Sequence, residues 1–289
     1  KGSKGSYRST HFLIQDHAIC YNYSASIYWH NKNQLKVSAQ KPIATWAPKF
    51  DQMNAVVQEK GLDVSLSELP GAQQEALDIA AMFQSQSYIN QAASEQEFKN
   101  KASDYAVLHI ATHGLLNDED PLYSNLILCN QNKEDGILHA FELYNMQLKA
   151  NLAVLSACNS GMGKLSKGEG VVSIARGFSY AGVPNIIMSK WPVSDWSTQQ
   201  LMRSLYNNLK EGMPIDVALQ QAKISYIEQN KQKDQLIAPF YWGGFVLTGS
   251  NQSIDILTQN ETWTYWLAGT ALLLISGLAW WIIRKKRKV

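Results

Sequence analysis

Short apolar runs recur along the chain, separated by stretches in which apolar positions fall every three or four residues. FLIQD (12–16), SASIYWH (24–30) and PIATWAP (42–48) read as strands. So do YAVLHIAT (105–112), SNLILC (124–129), NLAVLSA (151–157), NIIMSKW (185–191) and FYWGGFVLTG (240–249). ALDIAAMF (76–83) has helical spacing, and Ser94 with Glu97 predicts a capping box ahead of a short helix. GVVSIARGFSYAG (170–182) predicts a helix that stops at glycine. Ser194 is placed to cap a helix running to Leu209, and Pro214 suits the first turn of another running to about Gln229.

Strands alternating with helices predict an α/β protein with a mostly parallel central sheet and helices on both faces. The apolar strands 105–111, 151–157 and 185–189 suit the buried middle of that sheet.

The C-terminal pattern is different. Residues 263–283, WTYWLAGTALLLISGLAWWII, contain no charge and are long enough to cross the hydrocarbon core of a bilayer. Tryptophan and tyrosine flank both ends, and five cations follow from Arg284 to Lys288. A single-pass transmembrane helix with a cytoplasmic tail is expected, which puts the body on the other side of the membrane. The tail also accounts for the net charge of +2, because the rest of the chain holds 21 basic and 24 acidic residues. A mildly acidic body with no basic stripe argues against nucleic acid as a partner. The opening KGSKGSYRST, with neither Met nor a signal peptide, reads as the end of a linker within a longer protein.

Two of the apolar strands end in reactive side chains. LHIATHG carries His113 and Gly114 at its tip, and VLSACNSG carries Cys158. In open α/β sheets, ligands gather beyond the carboxyl ends of the strands. If the two strands are parallel neighbours, their tips lie roughly 5 Å apart. His113 can then take the thiol proton of Cys158 and return it to a leaving amine. The backbone N–H groups of Gly114 and Cys158 can face the developing oxyanion. The plain alternative is that Cys158 is buried packing and that His109 and His113 share one strand face.

Other chemistries fit worse. H-x-x-x-H lacks the glutamate of a zinc peptidase helix, and no paired cysteines suggest a metal. CNSGMGKL departs from a phosphate loop at Cys158 and Leu165, and Lys164 stands where a cysteine phosphatase would need arginine. No metal or cofactor is expected.

HIATHG, VLSACNSG, GEGVVSIARGFSYAGVPNIIMSKWPVSD and PFYWGGFVLTG, in that order, resemble the CHAT domain family. The resemblance implies a caspase-like three-layer α/β/α sandwich related to separase, with a His–Cys dyad at His113 and Cys158. It also implies tetratricopeptide repeats upstream and a protein or peptide substrate. In WPVSD it aligns Asp195 with an acidic residue that lines the pocket for the substrate's P1 side chain, so cleavage after a basic residue is expected. Asp195 could instead serve the first turn of its helix, where anions are favoured. His109 reads as a structural core histidine, the alternative being a partner that orients the dyad. The expected organisation is a linker end (1–7), a peptidase domain (8–250), a juxtamembrane linker (251–262), the span (263–283) and a basic tail (284–289). A membrane-anchored cysteine endopeptidase is the leading reading. A catalytically silent CHAT-type interaction module is the alternative.

Overall fold

A computed structural model describes residues 6–256 apart from 34–38, 51–55, 60–61, 116, 118, 133 and 157–168, together with Thr270. Cys158 and the tail 284–289 lie outside the described residues, as does the expected span 263–283 except for Thr270. Among the described residues, no helix is long and apolar enough to cross a membrane.

The elements follow in the order β1 (Cys20–Tyr21), α1 (Ala25–Asn33), β2 (Lys41–Ala47), β3 (Val56–Glu59), β4 (Leu62–Ser65), α2 (Pro70–Met82) and β5 (Gln86–Ile89). Then come α3 (Glu95–Lys101), β6 (Tyr105–Ile110), β7 (Gly114–Leu115), β8 (Asn125–Ile127), β9 (Ile137–His139), α4 (Ala140–Leu143) and β10 (Leu152–Leu155). The chain continues through α5 (Glu169–Tyr180), β11 (Ile186–Ser189), α6 (Asp195–Lys210), α7 (Ile215–Gln229), α8 (Pro239–Trp242) and β12 (Phe245–Thr248).

Among the described residues, seven strands form one sheet in the order β1-β12-β11-β10-β6-β2-β5. All neighbours are parallel except β11 and β12. The period-2 alternation of the strands builds two cores. Trp46, Leu108, Leu155 and Met188 face Phe98 of α3, Leu143 of α4 and Phe178 of α5. Ile43, Val107, Val154 and Ile187 face Ile79 of α2, Leu205 of α6 and Tyr226 of α7. The central strands are apolar at nearly every position because both of their faces are covered. A small antiparallel sheet of β7, β8 and β9 and a β3–β4 hairpin stand beside the main sheet.

Several expectations are corrected. SASIYWH lies in α1, whose first turn is held by Ser24 Oγ accepting from the Ile27 N–H at 3.1 Å. FLIQD is a 3-10 turn in which the Gln15 side chain accepts from the Phe12 N–H at 2.7 Å. Both stretches are rich in residues that favour strands, but local side-chain caps outweigh that weak preference. Ser94 does cap α3, accepting from the Glu97 N–H at 3.2 Å. Ser194 holds the N-cap position of α6 without a side-chain cap bond.

Gly244, in the FYWGGFVLTG stretch, stands just before β12. A Cβ there would lie 3.0 Å from Val193 and 3.1 Å from the Trp191 ring. The glycine lets β12 run hard against the WPV segment, which leads from β11 into α6.

Candidate active site

The residues of interest collect beyond the carboxyl ends of β6, β10 and β11. Val107–Ile110 pair in register with Leu152–Leu155. After Ile110 the strand gives way, and Ala111 N–H bonds the Trp46 carbonyl at 2.8 Å. The strand alternation expected to put His109 and His113 on one face therefore stops at Ile110.

His113 is buried, with its ring 4.8 Å from that of Phe50. Its Nε2 lies 2.7 Å from the carbonyl oxygen of Ser67, in the segment entering α2. A carbonyl only accepts, so Nε2 carries a proton, and in the neutral ring Nδ1 is the nitrogen that bears the lone pair. The imidazole is thus fixed in the tautomer whose free nitrogen can act as a base.

Gly114 lies in β7, opposite Leu126 of β8. Because Ile127 N–H donates to the His113 carbonyl at 2.9 Å, Gly114 and Leu126 form a non-hydrogen-bonded pair. The Gly114 N–H therefore points away from β8. Its backbone is not in the left-handed region, so the bend comes at Ala111–His113 and not at the glycine.

His109 is fully buried on the α2/α6 face. Its Nδ1 is 3.1 Å from the Tyr206 hydroxyl, and its Nε2 is 2.9 Å from Glu75 Oε1, off the N–H axis. Ser156 Oγ donates to the same Oε1 at 2.6 Å. Burial, and then the Glu75 charge, raise the Tyr206 phenol well above its ordinary range, so it stays neutral. This chain of contacts joins α6, β6, α2 and the residue after β10, and it holds His109 within the core.

Asp195 opens α6. Its half-buried carboxyl sits above its ordinary range because burial and the nearby Glu75 charge raise it, and His113 only partly offsets them. Among the described residues it caps no helix N–H. It lines a cavity of about 20 Å³ with Gly71, Glu75, Thr112, Ser156 and Thr198. A Cβ on Gly71 would come 3.2 Å from the Asp195 Cβ, so the first turns of α2 and α6 nearly touch.

The structure therefore brings His113, Gly114 and Asp195 to one crest of the sheet. Ser67, Glu75 and Thr198 escaped the sequence reading. Glu75 had a signal, since it is a lone charge on the apolar stripe of α2 that also carries Ala76 and Ile79. Ser67 had none, because it acts through its backbone carbonyl.

Among the described residues, one carboxylate trio, Glu95, Glu134 and Glu142, has metal-ligand spacing, but Lys99 Nζ lies within 2.8 Å of all three.

The chain is similar to several known proteins. The chain is 26% identical over 122 residues to tetratricopeptide repeat protein 28 of Homo sapiens, covering 42% of this chain and 5% of that protein. The Mus musculus protein of the same name is 26% identical over 119 residues, covering 41% and 5%. The chain thus spans about a twentieth of the length of these curated relatives. Among solved structures, the Saccharomyces cerevisiae separase–securin complex matches with a TM-score of 0.47 and 13% identity, over 78% of this chain and 13% of that one. The Arg-specific cysteine proteinase gingipain R matches with a TM-score of 0.47 and 8% identity, over 79% and 51%. The CHAT domain family model matches residues 2–250, and the chain belongs to that family.

Proposed function

We propose that the chain is a cysteine endopeptidase in which His113 and Cys158 form the dyad. The observation that carries this reading is the register of β6 and β10. Ile110 pairs with Leu155 in parallel, and His113 and Cys158 each stand three residues further on. Membership of the CHAT domain family supports the same assignment. In this reading His113 Nδ1 takes the thiol proton, and the sulfur attacks the scissile carbonyl carbon. The N–H groups of Gly114 and Cys158 hold the oxyanion, for which the Gly114 N–H is not used by β8. The proton then passes to the leaving amine, and water hydrolyses the thioester to release the second product.

The P1 side chain enters the cavity at Asp195, and cleavage follows a basic residue. Two carboxylates lining one small buried space support this. Residues 263–283 anchor the protein to a membrane, with 284–289 cytoplasmic and the body on the other side. The support for this is the uncharged run, its aromatic ends and the cations that follow. A tetratricopeptide region upstream in the same protein is proposed from the curated relatives' names. The second reading, a silent interaction module, is favoured by the burial of His113. A thiol-directed activity probe separates the two. Labelling that disappears in Cys158→Ala supports the peptidase, and labelling indifferent to that change supports the module.

A further inference from the structure

The end of the sheet opposite the candidate site carries a different surface. β10 and β11 begin there, and β12, which runs the other way, ends there. Asn185 ties this edge together, donating to the Asn151 carbonyl at 2.9 Å and accepting from the Ser250 N–H at 2.7 Å. α1 is fastened to the same edge. Asn22, just ahead of it, donates to the Gly249 carbonyl at 2.7 Å, and the Lys32 carbonyl accepts from the Gln252 side chain at 2.7 Å. α5 also ends here, at Tyr180, because it leads from β10 back to the start of the parallel β11.

Tyr180 and Trp29 are 72% and 67% exposed, the highest values among the large apolar side chains described. Cations and further rings flank them. Arg176, one turn before Tyr180, lies 5.6 Å over the Tyr23 ring, and Lys32, one turn past Trp29, lies 5.6 Å over the Tyr28 ring. Tyr144 packs against Tyr180 with ring centroids 4.7 Å apart. Neither His17–Phe50 nor Gly170–Ser194 contains an aspartate or glutamate, in a chain that holds 24 of them. The way out to the proposed anchor also starts near this end. Ile256 is four residues past Gln252, and six residues separate it from Trp263, where the uncharged run begins. Such a connection reaches at most about 25 Å.

We infer that this end of the sheet is a lipid-contact surface, on which Trp29 and Tyr180 seat among the headgroups of the bilayer that holds residues 263–283. The inference rests on the proposed membrane anchor and adds a second contact to it. Tryptophan and tyrosine favour the membrane boundary because each joins an apolar body to a polar edge. Lys32 and Arg176 lie beside them for the lipid phosphates, and the lack of carboxylates removes the repulsion that an anionic leaflet would exert. The short connection keeps the surface close to the bilayer, so contacts too weak to hold a free protein suffice. The candidate site opens at the carboxyl ends of the strands, a strand length away, roughly 15 Å. It therefore faces away from the bilayer and takes its substrate from the water.

The test uses the full chain reconstituted into mixed phosphatidylcholine–phosphatidylglycerol vesicles. The photo-reactive p-benzoylphenylalanine replaces Trp29 or, at the other end of the sheet, Trp196, which is 44% exposed beside Asp195. Illumination is expected to give lipid adducts at the Trp29 position and about tenfold fewer at the Trp196 position. Equal yields at the two positions, no lipid adduct at the Trp29 position, or adducts there to protein alone overturn the inference. Resistance to alkaline carbonate reads the anchor separately. If carbonate strips the chain from the vesicles, the anchor reading falls, and retention on vesicles at neutral pH decides the surface. Trp29→Ser combined with Tyr180→Ser is then expected to weaken retention about tenfold, with the unfolding midpoint unchanged because both side chains are exposed. No retention of the wild type, or equal retention of the variant, overturns the lipid-contact surface.

Discussion

Two groups of carboxylates stand on different parts of the molecule, and they are treated differently. At one, Glu95, Glu134 and Glu142 converge on Lys99 at 2.7–2.8 Å and tie α3, the loop before β9 and α4 together. At the other, Glu75 and Asp195 line one cavity with His109 beside Glu75 and no lysine or arginine among the described residues. Burial alone would lower the Lys99 ammonium, yet its hydrogen bonds to Glu134, Glu142 and Glu95 outweigh that and raise it. At Asp195, burial and then Glu75 raise the carboxyl, with only His113 opposing. The first cluster is complete as a structural clamp. The second gathers two carboxyls around one small cavity without a lysine or arginine among the described residues to pair them.

The largest effect expected from this contrast is at Lys99. Lys99→Met leaves three acids crowded together, one of them fully buried, and should cost about 3–5 kcal/mol in denaturant unfolding. Burial already raises the Glu95 carboxyl, and without Lys99 to oppose that rise the variant holds it higher still. Its stability should therefore recover as pH falls through the carboxylate range, since the folded state binds the extra protons. A loss no larger than that of a surface substitution would break the comparison.

Ser156→Ala should cost less, about 1–2 kcal/mol, because Glu75 loses its aligned donor while the His109 contact remains. Asp195→Asn should raise the melting temperature slightly while removing the preference for basic P1 residues. The Asp195 carboxyl is raised on folding, so wild-type stability is lost relative to the variant as pH climbs through that raised value. The gap should be small in acid, widen across the carboxylate range and stay flat above it. Thr198→Val should change stability least, within about 0.5 kcal/mol, since the hydroxyl it removes has no partner to lose. A clear destabilisation would mean that Oγ1 is bonded after all.

The middle of the sheet was legible in advance. YAVLHI, LAVL and IIMS are buried on both faces, and their apolar runs say so without any tertiary context. The periphery was not. β1 is two residues long and exists only because β12 offers an edge to Cys20 and Tyr21. SASIYWH carries strand-favouring side chains, yet one serine hydroxyl starts it as a helix. The site divides along the same line. His113 and Asp195 stand in short motifs, and their places follow from strand order. The Ser67 carbonyl, the Glu75–Ser156 bond and the idle hydroxyl of Thr198 depend on segments far apart in the chain, and no local pattern encodes them.

One short stretch does two jobs. Ser67 fixes which nitrogen of His113 bears its proton, and four residues later Gly71 lies against Asp195. A rigid shift of this segment by even an ångström would disturb His113 and the wall of the neighbouring cavity in the same movement. If the proposed peptidase reading holds, selectivity and reactivity are mechanically geared to each other through this one segment.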